Sequence, residues 1–220
     1  MFKKSGFENA DKAVFESDGI WEIPKIKGFV FEVEDWQKKM GGVSIGFNYC
    51  KSYENKNLDA KEILVEMFHD DYQFIRLWNR PDIYVEMLKK FKAVCSPDFS
   101  LYTDHPKALQ LFNHYRKHWL GAYWESKGIK VIPTICWSDS SSFDWCFDGE
   151  PKESIVAIST KGTQGNPLSK ERFLAGYNQM LKRLNPIKIL LFGNNPGGLD
   201  GDIVEMGYMS ADMIKAAQMS

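Results

Sequence analysis

Residues 130–160 read KVIPTICWSDSSSFDWCFDGEPKESIVAIST, two short β-branched runs on either side of a loop rich in serine, aspartate and aromatic residues. The runs at 131–136 and 155–158 show no polar alternation, and only Pro133 interrupts the first. Strands of this kind are usually buried on both faces, as in a parallel sheet covered by helices. Because ligands bind at the carboxyl ends of such strands, the stretch predicts both a fold class and the position of a site.

Strands and helices are predicted to alternate on both sides of this stretch. Apolar runs predict strands at 43–49 and 187–192, and a short strand that begins at Lys92 and stops at Ser96. Periodicity predicts helices at 81–91, at 106–126 and from the N-cap Ser169 to Leu184. Residues 63–68 fit a short helix and a strand equally well. The connections are too long for hairpins and predict repeated βαβ units. The predicted fold is α/β, a single domain with a predominantly parallel sheet, open or partial barrel-like.

The length of 220 residues fits one domain with a sizeable core. Residues 1–18 have no clear period and predict a loosely docked, flexible arm, followed by the domain at 19–200 and a tail at 201–220. Gly and Asn cluster at 194–208 and predict a loop, with a short helix at 211–219.

A proline-punctuated segment at 19–31 follows the arm and predicts an extended wrap over the core. Its expected packing anchors are Trp21, Ile23 and Ile26. The pair Gly41 and Gly42 predicts a turn before the first core strand.

Charge and cysteine usage exclude several classes of protein. Lysine and arginine number 28 against 29 aspartates and glutamates, so the net charge of -1 provides no global field for a polyanion. The sequence has no apolar run of membrane-spanning length and no signal-peptide pattern, and we expect no membrane partner. The four cysteines form no C-x-x-C pair, which argues against a zinc ribbon or a disulfide framework and favours a cytoplasmic protein.

Polar groups follow several of the predicted strands, and in a parallel sheet these strand ends meet at one rim. Asp71 and Asp98 are the candidate acid and base, or the carboxylates that hold a divalent cation such as Mg²⁺. The alternative is that the acidic residues cap helices or turns. The other groups expected at this rim are Asp70, Trp137, Ser138, Ser159, Thr160, Gly193 and Asn194.

Two loops extend the candidate site. In the loop at 138–149, Phe143, Trp145 and Phe147 alternate, and they either form an aromatic platform for a base or sugar ring or plug the top of the sheet. The loop at 159–166, STKGTQGN, lies between a strand and a helix and carries two glycines. Such a loop binds an anion through backbone N–H groups, or is a simple connection.

The predicted helix at 106–126 carries His114 and His118 four residues apart, on one face. No third metal ligand is evident beside them, so the pattern favours a solvated face. Basic and aromatic residues near them form a candidate nucleic-acid surface. Its members are Lys89, Lys90, Lys92, Tyr115, Arg116, Lys117, Trp119 and Trp124.

Several short motifs occur along residues 19–194, among them DDYQF, SPDFSLY, VIPT, CFDG, VAIST and FGN. Together they resemble the family known as domain of unknown function 4417. The resemblance implies a phage or mobile-element context and carries no established activity. Its motifs end at the strand termini selected above, which adds Phe147, Asp148, Gly149 and Gly162 to the candidate site.

Two functional hypotheses follow. In the first, the protein binds or hydrolyses a nucleotide-like or sugar-phosphate ligand at the rim, with Asp71 or Asp98 as base and with Ser159, Thr160 and Gly162 on the phosphate. In the second, it is a non-enzymatic nucleic-acid or protein-binding module of a phage or mobile element. The sequence leaves open whether the protein is an enzyme.

Overall fold

The computed structural model describes Asn9 and residues 11–40, 43–55 and 59–208. The turn predicted at Gly41 and Gly42, the helix predicted at 211–219 and most of the first ten residues lie outside this part of the chain. The helices are α1 (Val33–Met40), α2 (Phe47–Asn55), α3 (Ile75–Asn79), α4 (Val85–Leu88), α5 (Lys107–Ser126) and α6 (Pro167–Leu184). The strands are β1 (Ser17–Asp18), β2 (Ile23–Pro24), β3 (Val43–Gly46), β4 (Leu64–Glu66), β5 (Ala93–Cys95), β6 (Val131–Ile132), β7 (Ile155–Ser159), β8 (Lys188–Phe192) and β9 (Ile203–Tyr208).

Seven of the strands form one parallel sheet in the order β6-β5-β4-β3-β9-β8-β7. The two outer strands also approach each other, because Thr134 forms a parallel bridge with Ala157. Two backbone hydrogen bonds of 2.8 Å hold this bridge, from Ala157 N to Pro133 O and from Ile135 N to Ala157 O. Pro133 has no N–H with which to extend the ladder. The sheet is therefore a partial barrel, which confirms the predicted α/β class.

The core lies on both faces of this curled sheet, as its unbroken apolar strands require. On one face, side chains of β7 and β8 pack in the same hydrophobic cluster as those of the other strands. In this cluster Phe192 contacts Phe68, with the ring centroids 4.8 Å apart. The opposite face, with Val156 and Leu191, packs against α6. Since β7 and β8 are buried on both faces, only the ends of these two strands reach the surface.

The predicted loop at 194–208 is wrong for its second half, because Ile203–Tyr208 forms β9, an interior strand between β3 and β8. Val204 and Met206 are buried, whereas Glu205 and Gly207 are exposed. This one-sided burial and the glycines that precede the strand conceal it in the sequence. The sheet therefore extends into the segment predicted as a tail.

Several other predicted elements also change, among them the three that follow. Residues 63–68 contain the strand β4, not a helix. The predicted strand at 43–49 ends at Gly46, where α2 begins without a loop. The predicted N-cap Ser169 is wrong, since Asn166 caps α6 by accepting a 2.9 Å hydrogen bond from Ser169 N. Pro167 then occupies the first helical turn, where its fixed φ is favourable.

The N-terminal segment packs along the barrel. Ile23 and Ile26 are 1% and 2% exposed, which confirms two of the three predicted anchors. Trp21 is 50% exposed and is not an anchor, because it lies in the turn between β1 and β2 next to Glu22, which has a φ of 52°. Further upstream, the indole N–H of Trp119 donates a 2.8 Å hydrogen bond to Ala13 O.

Candidate functional site

A cavity of about 430 Å³ opens at the carboxyl ends of β4, β5, β6 and β7. Its position is the one that ligands prefer in parallel α/β proteins. Six of the residues predicted at the rim or by the motifs line it: Asp70, Asp98, Trp137, Ser138, Ser159 and Gly162. Seven others do not: Asp71, Phe147, Asp148, Gly149, Thr160, Gly193 and Asn194.

Asp98 supplies an acidic group of the cavity. It follows β5 and is half-buried, and its backbone N–H donates a 3.2 Å hydrogen bond to Met67 O. Burial raises the pKa of its carboxyl to about 6, although the Lys117 ammonium and a hydrogen bond from the Cys136 thiol favour the ionised form. A carboxyl that titrates this close to neutrality is suited to exchange protons with a ligand.

Lys161 and Arg172, which the sequence analysis did not select, supply positive charge to the same cavity. Arg172 lies in α6 and is half-buried, and its Nη1 donates a 3.2 Å hydrogen bond to Thr103 Oγ1. Lys161 lies within the STKG turn and Arg172 lies in the helix that follows it, and this position is the sequence signal that was available. Arginine in such a position binds phosphate oxygens through a fork of donors.

The loop at 159–166 uses much of its own backbone internally. Lys161 N donates to Ser159 Oγ and Thr163 N to Thr160 O, both at 3.1 Å. Gly162 has a φ of 76°, and no heavy atom lies within 4 Å of the position that a Cβ would occupy. The loop therefore leaves room at Gly162, while two of its amides, those of Lys161 and Thr163, already donate hydrogen bonds within the loop.

A histidine and a glutamate at the end of β4 also belong to this region. His69 lines the cavity, and its Nε2 lies 3.2 Å from Oε1 of the buried Glu66. Glu66 Oε2 accepts a 2.7 Å hydrogen bond from Phe68 N, which fixes the carboxylate. Gly46 leaves space for the pair, since a Cβ there would be 2.8 Å from Glu66 Oε1 and 2.9 Å from His69 Nε2.

Asp71 holds the polypeptide next to the cavity. Its carboxylate accepts hydrogen bonds from Ser100 N at 3.0 Å and Ser100 Oγ at 2.8 Å. Asn113 Nδ2 in turn donates to Ser100 O at 2.7 Å. These contacts tie the segment after β5 to the turn after β4. The catalytic role predicted for Asp71 stays a prediction.

The CFDG motif contacts the N-terminal segment. Gly149 O accepts a 2.9 Å hydrogen bond from Ile26 N, and Gly149 has a φ of 77°. A Cβ at this position would lie 2.6 Å from Pro24 O, so a larger residue would clash with backbone. Phe147 and Trp145 are buried in the cluster beneath α6, as the plug interpretation of this loop expects. Asp148 is half-buried beside them.

The remaining predicted residues contribute local contacts. Trp137 is half-buried against α6, and its Nε1 donates a 3.2 Å hydrogen bond to Arg172 O. Ser138 is 6% exposed, and its backbone N–H donates to Ser142 Oγ at 3.1 Å. Thr160 Oγ1 donates to Asn194 O at 2.9 Å and so joins the loops after β7 and β8.

The solvated face predicted for His114 and His118 is wrong, because both side chains are 0% exposed. Lys117 lies between them in the sequence and is equally buried, and its Nζ is 2.6 Å from Glu150 Oε1. His118 Nε2 is 3.0 Å from the same oxygen. Helical periodicity places these residues on one face of the helix, but it does not show whether that face is exposed to solvent or buried with polar partners. The acidic partner, Glu150, comes from a loop distant in the sequence, so no local pattern indicates the pairing.

The predicted nucleic-acid surface is not assembled on α5. Lys117, Trp119 and Trp124 are buried, and the Arg116 guanidinium lies 4.2 Å from the ring centroid of Phe99. The lysines predicted to extend this surface have acidic partners at 2.5–2.9 Å. These pairs are Lys89 with Glu86, Lys90 with Glu54 and Lys92 with Glu62.

The fold and the cavity define a single-domain α/β protein with a candidate small-molecule site. The chain belongs to the family described as domain of unknown function (DUF4417), whose model matches residues 15–209. This confirms the resemblance seen in the sequence motifs.

Relatives of the chain occur in mycobacteriophages. It is 36% identical over 198 residues to a Gene 1 protein of Mycobacterium phage L5, covering 89% of this chain and 81% of that protein. It is 40% identical over 129 residues to a Gene 1 protein of Mycobacterium phage D29, covering 59% of this chain and 48% of that protein. No solved structure matches the chain significantly. The chain is thus a phage-type protein, and no helix among its described residues is long and apolar enough to cross a membrane.

Proposed function

We propose that the protein binds a nucleotide-like or sugar-phosphate ligand in the rim cavity and hydrolyses it with Asp98 as the proton-transferring group. One observation carries this proposal: two cationic side chains, Lys161 and Arg172, share a cavity with a carboxyl whose pKa is about 6. The cations fit a phosphate, and the carboxyl fits proton transfer to or from it.

The rest of the lining suits the organic part of such a ligand. Tyr102 is 57% exposed at the cavity, and Trp137 is half-buried there. Exposed aromatic faces bind bases and sugar rings, and stacking on a base is worth about 1–3 kcal/mol. A phosphate at Arg172 and a ring near Tyr102 would both contact residues that line the cavity.

A divalent cation such as Mg²⁺ is part of this proposal. Asp70 and Asp98 both line the cavity, and carboxylate oxygens are the protein ligands that Mg²⁺ prefers. A cation held there would neutralise charge on a transferring phosphoryl group. We place the activity in the cytoplasm, because Cys50, Cys95, Cys136 and Cys146 are free thiols.

Replacing Arg172 by alanine is expected to weaken ligand binding about tenfold or more, since a hydrogen bond to a charged group contributes about 1.5–3 kcal/mol. The measurement is a thermal-shift screen of the purified protein with nucleotides, cyclic dinucleotides, sugar phosphates and Mg²⁺. A ligand that binds only the folded state raises the Tm. Wild type should respond to one phosphorylated class, and Arg172→Ala should lose most of that response.

Lys170→Ala is the matched control for this screen. Lys170 is exposed on the same helix, does not line the cavity and carries the same charge. Its removal should leave the ligand-induced shift unchanged. An equal loss in both variants would show that the shift depends on the net charge of the protein and not on Arg172 in particular. If no phosphorylated compound shifted the Tm, the proposal would be rejected in favour of a macromolecular partner.

A further inference from the structure

A second group of chemistry-bearing side chains lies in the core, apart from the lining of the rim cavity. One potential ligand atom from each of His114, His118 and Glu150 lies within 4.8 Å of the others, and all three residues are buried. We propose that these three side chains bind a divalent transition-metal ion of the Zn²⁺ class. This site is independent of the function proposed for the cavity.

The backbone fixes the tautomer of both histidines. His114 Nε2 lies 3.1 Å from Asp148 O, and His118 Nδ1 lies 2.9 Å from Pro24 O. A carbonyl oxygen only accepts, so each of these nitrogens carries a proton. In the neutral rings, His114 Nδ1 and His118 Nε2 are then lone-pair donors. Metal-binding histidines usually make such a contact with a carbonyl or carboxylate through their other nitrogen.

Two atoms of the cluster have no hydrogen-bond partner within the described chain. They are His114 Nδ1 and Glu150 Oε2. Nearly all buried polar groups are satisfied, and each unsatisfied one costs about 1–3 kcal/mol. Two such atoms in the same cluster, one a nitrogen lone pair and one a carboxylate oxygen, are explained by a ligand that accepts electron pairs.

The contact between His118 and Glu150 supports the same conclusion. His118 Nε2 lies 3.0 Å from Glu150 Oε1, so in this tautomer a nitrogen lone pair faces a carboxylate oxygen, and a metal ion bound by both groups would relieve their repulsion. Neutral imidazole is the form that binds metal.

Lys117 affects how tightly this site can bind a metal ion. Its Nζ donates to Thr134 O at 2.8 Å and to Glu150 Oε1 at 2.6 Å, which leaves Oε2 for the ion. The ammonium orients the carboxylate, but it also repels a second cation nearby. Removing the charge should therefore tighten metal binding without removing a ligand.

The three ligand side chains determine which metal ions are suitable for testing the site. Two imidazole nitrogens and one carboxylate are common ligands of Zn²⁺, which is bound by three protein groups in open sites. Co²⁺ fits the same ligands and reports its coordination by visible absorption. Chain refolded from denaturant without chelator gives the ions access to this buried site. We expect one Zn²⁺ per chain, a raised Tm, and Co²⁺ bands without thiolate charge transfer.

His114→Gln is expected to weaken Zn²⁺ binding about 100-fold or more, since it removes one of three ligands. His105→Gln is the control, because His105 is exposed near the start of the same helix. Lys117→Met should bind more tightly than wild type. The proposal would be overturned if wild type did not bind one Zn²⁺ per chain, if His114→Gln bound Zn²⁺ as tightly as wild type does, or if Co²⁺ showed a thiolate band. If His114→Gln does not fold, the Co²⁺ spectrum of wild type decides.

Discussion

Replacing Lys117 by methionine is expected to lower the free energy of unfolding by about 3–5 kcal/mol, the usual cost of removing one partner from a buried ion pair. Lys117 and Glu150 are both 0% exposed in their side chains, with 2.6 Å between Nζ and Oε1. Methionine fills a similar volume, so the loss arises from the unpaired carboxylate. Chemical denaturation measures the effect directly, and Tm should fall by roughly 10 °C.

Two further variants show whether the loss of stability comes from the buried charge of Glu150. Lys107→Met removes an exposed lysine from the same helix and should change stability by less than about 0.5 kcal/mol. Adding Glu150→Gln to Lys117→Met removes the unpaired charge, so the double variant should cost less than the sum of the two single ones. Additive costs, or a loss no larger than that of Lys107→Met, would show that the pair contributes little.

Replacing Asp98 by asparagine is expected to abolish ligand binding or turnover and, at pH 8, to stabilise the fold. The carboxyl has a pKa of about 6 in the folded protein against 3.8 ordinarily, because burial opposes its charge. The difference corresponds to about 3 kcal/mol. The groups that act on it are Lys117 and Cys136, which lower its pKa, and Asp71 and Glu66, which raise it.

The sign of the pH dependence follows from proton uptake. Between about pH 3.8 and 6 the folded state holds the Asp98 proton more tightly than the unfolded state does, so this residue's contribution to stability falls as the pH rises through that window. The gain from Asp98→Asn should be full at pH 8 and vanish below pH 3.8. Denaturation curves at several pH values measure it. Asp104→Asn, at an exposed position, should show no gain, and a destabilised Asp98→Asn at pH 8 would contradict the account.

The sequence predicted the strongest elements of the fold because they depend on local patterns. The apolar runs of β7 and β8 and the periodicity of α5 and α6 are long enough to be unambiguous. The strand β9 was not predicted, since it follows several glycines and has an exposed side. The helix α2 was not predicted because it follows β3 directly, with no turn signal in the sequence between them.

The site was predictable in position and only partly in composition. Strand-end geometry led to Asp98, Trp137 and Ser159, which line the cavity. The buried pair of Lys117 and Glu150 is 33 residues apart, and no local pattern indicates that a lysine on a helix faces the core. Long-range pairing of charges depends on the folded topology, so sequence periodicity alone does not reveal it.

The most direct test of the central claim, that the rim cavity binds phosphate, is a crystal structure of the protein soaked with tungstate, a heavy analogue of phosphate. Tungsten scatters anomalously, so its position can be measured without interpretation of weak density. The account predicts a peak within hydrogen-bonding distance of Lys161 Nζ and the Arg172 guanidinium. A structure in which tungstate binds elsewhere and leaves these two side chains without an anion would contradict it.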